Sequence, residues 1–77
     1  MADEWRDRIT VDQKILRGKP IITGTRISVE FILELLAEGW TTPQIIDAYP
    51  QLTPEDINAA IRYAHSLLQQ EEVYPYP

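Results

Sequence analysis

One histidine, no cysteine and a nine-residue stretch of glycine, threonine and cations are the places where this sequence could hold chemistry. His65 stands alone, outside any HxxxH or ExxH spacing. Acid–base pairs, activated nucleophiles and metal clusters all need several polar groups converging. His65 therefore reads as a structural or surface side chain, and no catalytic residue, metal-ligand set or cofactor is expected. The absence of cysteine removes disulfides and thiolate metal sites. The stretch Gly18–Arg26 holds two glycines, a proline and two threonines beside Lys19 and Arg26. Such a segment can form a backbone nest for an anion. It lacks the GxxxxGK[ST] pattern, so a nucleotide P-loop is excluded. The plainer reading is favoured: a tight turn setting a ribbon against the first helix, with Arg26 paired to Glu30 or to backbone carbonyls.

Charge is divided along the chain. Residues 1–27 carry six cations (Arg6, Arg8, Lys14, Arg17, Lys19 and Arg26) against four acids, a net of +2. Residues 28–77 carry Arg62 against eight acids, a net of −7, and the whole chain is −5. A surface that attracts phosphate is thus expected in the first third, centred on Arg6, Arg8, Arg17, Lys19 and Arg26.

The elements that position these side chains follow from periodicity. Ile9 and Val11 alternate with polar neighbours, Ile15–Leu16 follows after a polar link, and Pro20 confines the next strand to an edge or to a start at Pro20. This is a short β ribbon, with turns at Gly18, Gly24 and Thr25, Gly24 needing positive φ. From residue 28 the period becomes helical. Val29, Ile32, Leu33 and Leu36 make a core face, widened by Phe31 and Leu35. Ser28 is placed to cap this helix and Gly39 to end it in a left-handed turn. Thr42-Pro43 starts a short second helix carrying Ile45, Ile46 and Tyr49, and Pro50 ends it. Thr53-Pro54-Glu55-Asp56 starts a third, whose stripe is Ile57, Ala60, Ile61, Ala64, Leu67 and Leu68. Glu71 and Glu72 oppose the helix dipole, which predicts fraying near residue 70.

The expected fold is mainly α: a three-helix, helix-turn-helix-like bundle preceded by a short N-terminal β ribbon. The 77 residues suit a single domain, with a basic arm and ribbon over 1–27, a trihelical core over 28–70 and a tail over 71–77. In a helix-turn-helix the third helix reads the major groove, and here it would offer Asn58 and Arg62. Glu55 and Asp56 occupy its N-terminal end, where carboxylates would face phosphates. They suit a protein partner better, as do Tyr74 and Tyr76 in the tail. Trp5 has no local apolar partner, and Trp40 is expected over the turn between the first two helices. A chain this short has a small core, which favours a homodimer. No apolar run is long enough to span a membrane and no signal peptide is evident, so a cytoplasmic location is expected.

The string Gly18-x-Pro20-Ile21-Ile22-x-Gly24-Thr25-Arg26-Ile27, then Val29, Leu36-Ala37-x-Gly39 and Tyr49-Pro50-x-Leu52-Thr53-x-x-Asp56-Ile57-x-Ala59-Ala60, carries a resemblance. It resembles the bacterial domain of unknown function 433 family, from about Ile9 to Leu68. The resemblance implies a small helix-turn-helix-like antitoxin of VapB type, paired with a PIN-like ribonuclease toxin encoded beside it, and a dimer that binds its own promoter. It brings no catalytic residues. The expectation is an acidic helical half for the toxin and a basic ribbon for DNA, on separate surfaces. Two other readings remain open: a stand-alone DNA-binding regulator and a homo-oligomeric interaction module.

Overall fold

The computed structural model describes residues 4–69. A 3₁₀ turn, Trp5–Arg8, leads into β1, Ile9–Thr10. β2, Ile21–Ile22, pairs antiparallel with β1, placing Ile9 opposite Ile22 and Thr10 opposite Ile21. Three helices follow: α1 over Val29–Ala37, α2 over Thr42–Ala48 and α3 over Pro54–Gln69. The mainly α bundle with a short N-terminal ribbon is the architecture expected from the periodicities.

Each helix starts on a local device. Ser28 Oγ accepts from Phe31 N–H at 2.9 Å, so the expected cap of α1 is in place. For α2 the cap is Thr41, one residue before the expected Thr42: Thr41 Oγ1 accepts from Gln44 N–H while Gln44 Oε1 accepts from Thr41 N–H. Gln44 three residues after Thr41 completes a reciprocal box that Thr42 could not form. α3 has the same arrangement, with Asp56 N–H donating to Thr53 Oγ1 at 3.2 Å and Thr53 N–H to Asp56 Oδ2 at 3.0 Å. Gly39, at φ +97°, ends α1, and Gly24, at φ +83°, turns β2 toward α1.

The link between the strands departs from expectation. Leu16 (φ 48°) and Arg17 (φ 58°) precede Gly18 (φ 83°), so three consecutive residues sit in the left-handed region. Gly18 N–H donates to Ile15 C=O and Lys19 N–H to Leu16 C=O, closing a left-handed turn. The expected extended run through Ile15–Leu16 thus stops at Leu16.

The core joins every layer. Ile22, Val29, Ile32, Leu35, Ile45, Leu52, Ile57 and Ala60 form one buried cluster, with Ile9, Phe31, Leu33, Leu36, Trp40, Tyr49 and Tyr63 among the side chains packed on it. Phe31 meets Tyr49 edge-on, with ring centroids 5.4 Å apart. In α1 the deepest residues are Val29, Ile32 and Leu35 rather than Leu33 and Leu36. The stripe of α3 divides: Ile57 and Ala60 are buried, whereas Ile61, Leu67 and Leu68 are 47, 48 and 60% exposed. Those three were expected in the core. Val29 and Leu33 of α1 border one groove with Tyr63, Ala64 and Leu67, so α1 reaches the later turns of α3, and Ile61 and Leu68 lie on the flank of the stripe. The expected fraying at residue 70 and the tail, including Tyr74 and Tyr76, lie outside the described residues. No helix among the described residues is long and apolar enough to cross a membrane.

Candidate nucleic-acid interface

The N-terminal turn folds back along α3, and one ion pair ties the two together. Arg8 Nη1 donates to Asp56 Oδ1 at 3.0 Å, across 48 residues of sequence. Asp56 uses its other carboxylate oxygen for the Thr53 cap. The residue is only 6% exposed. It is therefore not the partner-facing carboxylate expected from its place at the helix start. Both oxygens are spent inside the fold, and its charge is neutralised by the arm.

This contact rearranges the predicted site. Trp5, Arg8, Pro54, Glu55 and Asn58 line one open cleft of about 280 Å³. Arg6 lies over the Trp5 ring, 4.6 Å from its centroid, a cation–π pairing that holds both at the edge of the cleft. Trp5, expected without a local partner, is half-buried and forms part of the wall. One turn further along α3, Arg62 Nε donates to Asn58 Oδ1 at 3.2 Å. Arg8 and Asn58 thus meet at the first turns of α3, whereas Arg6 borders a second recess with Ile9, Val11, Tyr63, Ser66 and Leu67 further along the helix. The basic arm meets the start of the third helix at the Arg8–Asp56 pair. Glu55 remains exposed beside the cleft.

The other predicted cations lie elsewhere. Lys19 Nζ bonds Glu30 Oε1 at 2.8 Å, so Lys19 and not Arg26 holds that carboxylate. The Lys19 hydrogen bond, reinforced by its charge, keeps Glu30 below the ordinary glutamate range. Arg17 is exposed in the left-handed turn, and Arg26 is exposed between Gly24 and α1. Thr25 works as a structural turn residue: its Oγ1 donates to Ile22 C=O at 2.8 Å and accepts from Ile27 N–H at 3.0 Å. Pro50 lies between α2 and α3, where Leu52 N–H donates to Tyr49 C=O. His65 is exposed on α3. Among the described residues, no three histidine, aspartate or glutamate side chains come together as a metal site would need.

A second polar surface was not expected. Glu38, Gly39, Trp40, Gln44, Asp47 and Ala48 line an open cleft of about 480 Å³ where α1 turns into α2. Trp40 does pack onto the core at this turn, but it also walls a recess bordered by two carboxylates. An aromatic residue directly after the helix-ending glycine, with acids on both sides in sequence, was the available signal.

Comparison with known proteins places the chain. Its fold matches the crystal structure of a DUF433 member protein from Anabaena variabilis with a TM-score of 0.77, at 28% identity, covering 84% of this chain and 64% of that one. It is 33% identical over 61 residues to the uncharacterized protein y4eO of Sinorhizobium fredii, which is 79% of this chain but only 28% of that protein's length. The chain thus spans little more than a quarter of this curated relative. The family model described as "Protein of unknown function (DUF433)" matches residues 9–64. With its ribbon, its glycine turns and all but the end of α3 inside that match, this chain belongs to the DUF433 family.

Proposed function

We propose that this protein is a non-catalytic binding protein: an antitoxin that neutralises a PIN-like ribonuclease and regulates its own synthesis by binding DNA as a dimer. The observation that carries the nucleic-acid half is the Arg8–Asp56 pair. It removes the buried carboxylate as a source of repulsion and brings Arg8 beside Asn58, to which Arg62 donates. Guanidinium groups suit phosphate oxygens, and an amide on the third helix of a helix-turn-helix suits a base edge. Support for the toxin half comes from the Glu38–Trp40–Asp47 recess. A ribonuclease carries a cationic substrate channel, and an acidic surface with an aromatic anchor complements it.

Two measurements test the halves separately. Co-expression with the neighbouring open reading frame should yield a stable complex that suppresses its ribonuclease activity, and Glu38→Lys with Asp47→Lys should weaken it. No complex with that neighbour sinks the antitoxin reading. A gel shift on the upstream duplex should show binding that falls steeply with salt, since each phosphate contact contributes a slope of about −0.9. Arg6→Ala and Arg62→Ala should each flatten that slope. Absence of binding at low salt sinks the DNA half. Binding to DNA without a toxin complex would favour the stand-alone regulator, which the Arg8–Asn58–Arg62 grouping supports by itself.

A further inference from the structure

We propose that the C-terminal half of α3 is a two-fold dimer seam, covered by the same helix of a second copy running antiparallel. The proposal specifies the surface of the dimer assumed above; where it lies does not depend on whether nucleic acid is the ligand. Ile57, Ala60 and the α1 residues packed on them cover the first half of the α3 stripe. On the flank of that stripe, Ile61 and Leu68 are 47 and 60% exposed. Ile57, Ala64 and these two are spaced four, three and four residues apart, the repeat of a helix–helix seam. One end of that seam lies in the protein's own core and the other is uncovered.

The order of side-chain sizes identifies the occupant. A large residue, a small one and a large one follow as Ile61, Ala64 and Leu68. Turned about an axis near Ala64, the helix presents the same order in reverse, so Ile61 of each copy meets Leu68 of the other. Ala64 at the axis lets the helices approach to about 8 Å. An isologous contact of this kind needs one self-complementary patch and closes on itself. The seam carries no charge, so two copies meet without repulsion there. The apolar surface also continues sideways: Ala64 belongs to a groove of about 210 Å³ whose other walls include Pro20, Val29, Leu33, Tyr63 and Leu67. With the groove edge, covering the seam removes on the order of 500 Å² per copy, at the low end for a specific contact. The expected dimer is therefore weak and reversible.

Sedimentation equilibrium of the full chain should show a monomer–dimer equilibrium. Ile61→Glu with Leu68→Glu should raise the dissociation constant at least about 30-fold, equivalent to roughly 2 kcal/mol, with helical circular dichroism unchanged. Because the chain lacks cysteine, Ala64→Cys gives a single thiol near the axis; mild oxidation should link two copies, whereas Asp47→Cys should stay monomeric. Deletion of residues 70–77 should leave the dimer intact. A monomeric wild type overturns the proposal, as does a dimer indifferent to the double glutamate change. Equal cross-linking through Ala64→Cys and Asp47→Cys also overturns it, and so does a dimer lost with residues 70–77, which would make the tail the occupant. The same samples in the gel shift separate the two ideas. A dimer with these properties that binds no duplex keeps the seam and removes the DNA reading, while a monomer that binds duplex does the reverse.

Discussion

Asp56 does two things with one carboxylate: it accepts from Thr53 N–H, which completes the box that starts α3, and it pairs with Arg8. Asp56→Ala leaves the guanidinium without its partner and the Thr53 N–H unsatisfied. We expect a loss of roughly 2–3 kcal/mol, measured by urea denaturation. Arg8 is 43% exposed at its side chain, so its half of the pair is screened by solvent. Arg8→Ala should cost less, about 0.5–1 kcal/mol. Equal losses for the two would mean that the arm, rather than the cap, holds the residue. Glu30 offers a titration test. Its folded pKa is lowered by Lys19, so the stabilisation from this pair is present above the ordinary glutamate pKa and fades as pH falls through the lowered one. Carbon-detected NMR should find the Glu30 midpoint below the ordinary glutamate value, and Lys19→Met should move it back up. These side-chain roles were only partly visible in the sequence. The Thr53–Asp56 spacing is a capping signature, but nothing local connects residue 8 to residue 56.

At the scale of elements, local chemistry was nearly sufficient. Ser28, Gly39, Thr53 and the prolines bracket helices of 9, 7 and 16 residues where the periodicity put them. Thr41 displaced Thr42 because only Thr41 has Gln44 at the third following position. The left-handed turn is different, since Leu16 and Arg17 have no preference for positive φ. A non-glycine residue there costs about 1 kcal/mol or more, and the ribbon pairing and the Lys19–Glu30 contact on either side hold it in place. Arg17→Gly should therefore stabilise the chain by about 0.5–1 kcal/mol in chemical denaturation. Gly18→Ala should destabilise it by more than 1 kcal/mol. At Gly18 a Cβ would lie 2.7 Å from Gln13 Nε2, and φ is +83° besides. The Gln13 side chain can move away, but the backbone cost remains.

At the scale of the whole molecule, the cluster of eight buried side chains among the described residues is a small core. Ile45 is fully buried between the helices. Ile45→Ala should cost about 3 kcal/mol, a large share of the stability of so small a domain, and thermal unfolding followed at helix and aromatic wavelengths should fall together.

Hydrophobic periodicity, capping residues and glycine placement are properties of neighbours in sequence, and they determined the three helices, the ribbon and the turns at Gly24 and Gly39. Which face of α3 is covered, and what stands beside its first turn, depends on how far apart segments pack. Packing of α1 against the side of α3 that carries Ala60, Tyr63 and Ala64 leaves Ile61 and Leu68 outside. A basic arm folding onto α3 sets Arg8 on Asp56, while Arg6 lies on Trp5 of the same arm. Charge counted along a chain cannot foresee this, because pairing depends on distance in space, and only the tertiary structure sets that distance.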